Sequence, residues 1–384
     1  MSRRIALLAG IGVVGLTLTF IGGLVNADVF FRSYLLGYTF WIGLGLGSLG
    51  IAFVQFLTGG YWGLVTRRIF EAGAAPLPLM AVLFVPVLLG LPRVYAWARP
   101  DAVQVDPVLQ HKALYLNVPF FVGRTLLYLI AWVILAYLLR RWSAAHDQRD
   151  DPRLFRRLQR LAIVGVIVLG LTVTFAAIDW LMSLDADWYS SMYPPMVAMG
   201  DLLLALAFGT FLVTWMRRSA AMGELLTPRI YNDLGSLLLA FVMLWAYMAY
   251  FQYLLIWAGN LSDEIPWYLR RTAGGWLPVA VGIAGLGFGV PFWFLLFRSL
   301  KRNPSTLATI AGLVVLVRIV DVFWLIQPPF EPGGPVVTWT DLTALVGFGG
   351  LWLAIFVWAI SARPLLPLHD PRLPGAMEAA RATV

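Results

Sequence analysis

Five ionisable residues stand inside stretches otherwise made of apolar side chains: Arg124, Asp179, Asp201, Arg318 and Asp321. A charge at membrane depth costs at least ~2.5 to 3.5 kcal/mol, so such residues face a partner or a polar cavity. Arg318 precedes Asp321 by three positions, which puts both on one face of a helix. Two arginines against three aspartates leave one acid without a cation, to be hydrated or protonated and so able to relay protons. A structural reading competes: Arg318 and Asp321 neutralise each other, and Arg124 pins one bundle to Asp179 or Asp201.

Other chemistry is excluded by residue type. The chain has no cysteine, which removes iron–sulfur clusters, thiolate chemistry and disulfides. Its three histidines, His111, His146 and His369, all fall in polar segments, so none is placed as an axial haem ligand within the membrane. No phosphate-binding glycine motif follows a strand. Gly43, Gly45, Gly47 and Gly50 fall inside an apolar window, where small residues permit close helix packing. Neither a metal site nor a covalently held cofactor is expected.

The elements that carry these residues follow from hydropathy. Of 384 residues, 60% are hydrophobic and 12% charged, where a soluble domain carries about 25% charged residues. Windows of about 20 apolar residues, enough to cross roughly 30 Å of hydrocarbon, recur at 5–25, 36–57, 77–92, 118–139, 158–180, 195–216, 234–258, 274–297, 305–326 and 341–361. Helices satisfy their own backbone, so the expected fold is an all-α integral membrane protein with about ten transmembrane helices. The third window is the shortest, and Pro86 is expected to kink it.

Basic residues orient the chain. Twenty of the 28 fall on one side, including Arg67, Arg68, Arg140, Arg141, the Arg149–Arg160 run, Arg217 and Arg218. Six fall on the other, among them Arg93, Arg99, Arg270 and Arg271. This bias predicts cytoplasmic N- and C-termini and places all five embedded charges in the outer half of the membrane. It also explains the net charge of +8 without nucleic acid as a partner. Arg3 and Arg4 before an apolar run resemble a secretory leader, with Val25-Asn26-Ala27 as a cleavage site, but the run is long enough to be read as a retained first helix.

A weak internal repeat organises the helices. Tyr115 and Tyr268 stand before the fourth and eighth windows, and Asp179 and Asp321 near the ends of the fifth and ninth. The two offsets are 153 and 142 positions, a discrepancy assigned to a long connection after the fourth helix. Two parallel four-helix bundles are expected, helices 2–5 and 6–9, flanked by helices 1 and 10. The corresponding divisions are 1–33, 34–193, 194–327 and 328–384.

The stretch His111-Lys112-Ala113-Leu114-Tyr115-Leu116-Asn117 with Phe120, Phe121 and Arg124 resembles the ActF subunits of alternative complex III. So does Phe175-Ala176-Ala177-Ile178-Asp179-Trp180-Leu181-Met182-Ser183-Leu184, followed by Trp188-Tyr189-Ser190. These subunits belong to the NrfD-like, polysulfide-reductase-C-like membrane family. Tyr193-Pro194-Pro195 departs from the glycine-containing pattern of that family. The resemblance implies a bacterial inner-membrane subunit of a quinol:electron-acceptor oxidoreductase, without redox metal and not catalytic alone. It would work beside an iron–sulfur subunit, multihaem cytochrome c subunits and a homologous NrfD-like subunit. His111 and Tyr115 then become candidates for quinone or outer-loop contact, with quinone or lipid the only small ligands expected. Two alternatives stay open: a quinone-binding catalytic subunit of the NrfD type, or an independent transporter.

Overall fold

The structure, a computed structural model, describes residues 2–149, 151–216, 220–223 and 225–381; Arg217 and Arg218 lie outside the described residues. Ten helical segments are long and apolar enough to cross a membrane. They are α1 (Ser2–Val25), α2 (Ala27–Thr58), α3 (Trp62–Leu89), α4 (Val118–Gln148) and α5 (Pro152–Trp180). Then come α6 (Tyr193–Trp215), α7 (Pro228–Gly259), α8 (Trp276–Leu296), α9 (Pro304–Ile326) and α10 (Trp339–Ser361). A short amphipathic helix, α11 (Leu373–Arg381), closes the described chain. No strand occurs among the described residues. Because an even number of segments alternates in direction, residues 2 and 361 lie at one end of the molecule, here the terminal end, and the opposite end is the distal end.

In the first bundle α2 packs on α3 and α5, and α4 joins α5 to the middle of α3. In the second, α6 packs on α7 and α9, and α8 lies between α7 and α9. The bundles meet where α6 crosses α2 and α5. Small residues let this crossing come close: a Cβ on Gly47 would stand 1.9 Å from the carbonyl oxygen of Asp201. Helices α1 and α10 pack on each other through glycines, a Cβ on Gly350 standing 2.4 Å from the Gly12 nitrogen, and both lie against α2 of the first bundle.

Three local features differ from the hydropathy reading. Helix α2 starts at Ala27 after a one-residue break, because the Asn26 side chain accepts from the amides of Asp28 and Val29 and caps it; residues 27–33 are therefore helix. The third span starts at Trp62 rather than 77 and is three helical pieces, Trp62–Gly73, Leu77–Val82 and Val85–Leu89, interrupted before Pro78 and Pro86. The Tyr34 hydroxyl donates to the Leu83 carbonyl over 2.8 Å, satisfying a group this break leaves free. Finally, the connection after α4 is short. The eleven-residue discrepancy in the repeat is taken up largely as helix, since α4 runs to Gln148 and α5 begins at Pro152. Helix α8 carries a π-helical turn at Ile283–Gly289.

Candidate functional site

All five embedded charges lie in the distal half of their helices, and the structure gathers them into two groups rather than one. In the first group, α4 begins after Asn117, whose side chain accepts from the Phe120 amide over 2.9 Å. About two turns on, Arg124 forks onto Asp179 of α5, Nε to Oδ2 at 2.9 Å and a terminal nitrogen to Oδ1 at 2.8 Å. Its remaining terminal nitrogen donates to the Tyr115 carbonyl over 3.1 Å. The Tyr128 hydroxyl donates to Asp179 Oδ2 over 2.8 Å. The rings of Tyr115 and Phe120 cover the guanidinium at 3.8 and 4.1 Å. Charge and hydrogen bonding are thus matched, as a buried pair requires. Tyr115 serves as a lid on this pair, and burial raises its hydroxyl above the ordinary tyrosine value, with the Asp179 charge adding to the effect. His111 is exposed on the short helix Pro107–Lys112 and belongs to neither group.

The second group lies where α9 meets α6. Arg318 and Asp321, three residues apart on α9 and both buried, form an ion pair. The guanidinium lies against α6: a Cβ on Gly200 would stand 2.2 Å from its nitrogen, so a larger residue there would push it aside. The next residue is Asp201. Its carboxylate packs against Gly43 of α2, Oδ1 lying 2.5 Å from where a Cβ would be. Among the described residues Asp201 has neither a hydrogen bond nor an ion pair, although Arg318 and Asp321 are near enough to act on it electrostatically. Asp201 borders an apolar groove of about 140 Å³ between α2, α5 and α6, lined by Leu46, Gly50, Val166 and Leu169 among others. It is the acid left over when two arginines meet three aspartates. Deeper along the same helices lie the buried hydroxyls of Ser48, bonded to the Leu44 carbonyl, and Thr210, which has no partner among the described residues.

Two further ionic clusters were not legible from hydropathy, which treats their arginines only as topology markers. At the distal end Arg271, on the loop helix Ile265–Thr272, donates to Asp185 over 3.0 Å and to the Leu325 carbonyl over 2.9 Å. Arg270 meets the other Asp185 oxygen at 2.8 Å. The Trp267 ring lies 3.8 Å from the Arg271 guanidinium. Burial pushes Arg271 below its ordinary value, and Asp185 opposes that shift.

At the terminal end Arg67 pairs with Asp370 and donates to Gln55 over 3.2 Å. Arg68 pairs with Glu71 at 2.7 Å and with Asp147, and donates to Ser143 over 2.8 Å. Arg372 holds both Asp370 oxygens at 2.9 Å. Burial opposes ionisation of Asp370, but the hydrogen bonds from Arg372 and the charges of Arg67 and Arg372 outweigh it and hold the carboxyl down at about 2. The sequence signal was present: Glu71 follows Arg68 at i+3, a helical pair.

No group of three or more histidine, aspartate or glutamate side chains is assembled to hold a metal ion among the described residues. No protein-family model matches the chain, and no curated protein matches it.

Proposed function

We propose that this chain is an integral membrane subunit of a quinol:electron-acceptor oxidoreductase complex of the alternative complex III type, contributing to proton translocation and to assembly. The partners in this reading are an iron–sulfur subunit, multihaem cytochrome c subunits and a homologous NrfD-like subunit of a bacterial inner membrane. The two sequence stretches around Arg124 and Asp179 support the family assignment. The observation that carries the proton role is the unpartnered Asp201 carboxylate beside the Arg318–Asp321 pair. A carboxylate so placed can take up and release a proton, while the neighbouring pair keeps a fixed local field. The paired Arg124 and Asp179 have the opposite character, and their role is to fasten α4 to α5.

The test is Asp201→Asn in the assembled complex. The substitution keeps size and hydrogen-bonding capacity but removes the exchangeable charge. Haem content and subunit composition should stay normal, while protons released per quinol oxidised should fall. Unchanged proton release would remove Asp201 from any proton route. Failure of the purified chain to bring haem-bearing partners with it would remove the complex itself from the reading.

A further inference from the structure

Where α4, α3 and α10 meet at the terminal rim there is more positive charge than acid. Arg363, just beyond α10, reaches Glu71 only at 3.8 Å, and Glu71 is already taken by Arg68 at 2.7 Å and by the Ser143 hydroxyl at 2.6 Å. Arg363 also donates to the Arg140 carbonyl over 2.7 Å, which brings the last turns of α4 to the end of α10. Arg140 itself has no ion pair among the described residues; the Arg363 charge acts on it unfavourably and the Glu71 charge favourably. Its guanidinium lies 5.6 Å from the ring of Trp358, a residue half-exposed on the outer face of α10. Arg68, Glu71, Arg140, Ile360 and Arg363 line a cleft of about 10 Å³ at this place, room for about one water, so a larger anion would sit on its rim rather than inside it. Arg140 and Arg363 therefore share one cleft whose nearest acid, Glu71, is already committed to Arg68 and Ser143. Arg140 and Arg363 sit where the apolar stretches of α4 and α10 end.

We propose that Arg140 and Arg363, at the rim of this cleft, bind the phosphate of an anionic glycerophospholipid. Arg140 and Arg363 would donate to the phosphate oxygens, which a guanidinium matches in geometry as well as charge. Trp358 would lie beside the glycerol backbone, its ring at the polar–apolar boundary as interfacial tryptophans are. The acyl chains would run down the apolar face of α4, where Tyr137, Ile134 and Ile130 are exposed. Phosphate is the shared chemistry of two sources, a lipid headgroup and free inorganic phosphate. The exposed apolar side chains that precede Arg140 on α4 favour the lipid.

The experiment uses the full chain, purified in mild detergent with whatever subunits accompany it, and counts bound lipid by native mass spectrometry. Phosphatidylglycerol, phosphatidylcholine and inorganic phosphate are each titrated. Phosphatidylglycerol should be retained in preference to phosphatidylcholine, and inorganic phosphate at about a hundredfold excess over the lipid should not displace it. The double variant Arg140→Gln, Arg363→Gln should bind phosphatidylglycerol roughly 30-fold more weakly, since it removes two basic groups that face the headgroup at a membrane surface. Arg157→Gln, an exposed residue on α5, should bind as the parent does, and Arg363→Lys should retain much of the affinity. Equal retention in the double variant of unchanged helicity would overturn the proposal. Displacement by inorganic phosphate would overturn the lipid as occupant, and loss of helicity in the double variant with undiminished binding in both single variants would show that the arginines hold the fold instead.

Discussion

Arg124 and Asp179, on adjacent helices, form a two-point fork with nitrogen–oxygen distances of 2.9 and 2.8 Å, and the aspartate is fully buried. Removing one member of such a pair leaves an uncompensated charge, which costs about 3 to 5 kcal/mol. Arg124→Met should therefore lower the thermal unfolding temperature sharply. Arg124→Met with Asp179→Asn should recover most of that loss, read from intrinsic tryptophan fluorescence on heating. Equal losses in the single and double variants would show that the fork contributes little.

The pair on α9 permits a second cycle. Asp321→Asn leaves Arg318 buried against Gly200 without its carboxylate, at a similar cost of about 3 to 5 kcal/mol. Arg318→Met combined with Asp321→Asn should restore assembly. If Asp321 also carries protons, the double variant should assemble with its haems and yet release fewer protons per quinol; normal release there would confine proton exchange to Asp201.

The crossing of α2 and α6 rests on contact at Gly47, where an added methyl would stand 1.9 Å from the Asp201 carbonyl oxygen. Backbone must move to admit it, so Gly47→Ala should destabilise by about 1 to 3 kcal/mol or more. Gly170→Ala, on the same groove but with nothing within 4 Å, should cause no loss. Matching melting temperatures for the two variants would show that the helices are not in close contact there.

Acid should release the tail. The Asp370 carboxyl is held at about 2, below its ordinary 3.8. A lowered folded value means stability that is complete above 3.8 and lost as pH falls toward 2, here roughly 2 kcal/mol. Protease sensitivity of the segment after residue 361 should rise over that window, and Asp370→Asn should show the raised sensitivity already at neutral pH. A pH-independent cleavage rate in the unsubstituted chain would refute this coupling.

The charge bias makes a topological prediction. Gln148, exposed at the end of α4, should resist an impermeant thiol reagent in intact cells when changed to cysteine, and should react after the membrane is opened. The absence of native cysteine leaves no background. Labelling in intact cells would invert the orientation.

What the sequence determines by itself is depth. Apolar windows place ten helices, and their alternation puts Arg124, Asp179, Asp201, Arg318 and Asp321 in the same half of the molecule, because position along a helix converts directly into height at about 1.5 Å per residue. Hydropathy also misjudges where charge is compensated. Arg67, Arg68 and Glu71 lower the local average enough to look like a loop, yet they are buried in helix, since Glu71 itself, Asp147 of α4 and Asp370 of the tail neutralise the two arginines.

Lateral choice belongs to the tertiary structure alone. Arg124 was equally free, on spacing, to meet Asp179 or Asp201. The packing of α4 on α5, and the glycine contacts that hold Asp201 of α6 against α2, decide for Asp179 and leave Asp201 unpaired. Likewise nothing local announces that Asp370, far along the chain, folds back to Arg67. Periodicity fixes which face a residue occupies, but which neighbour stands opposite depends on contacts summed over helices distant in sequence.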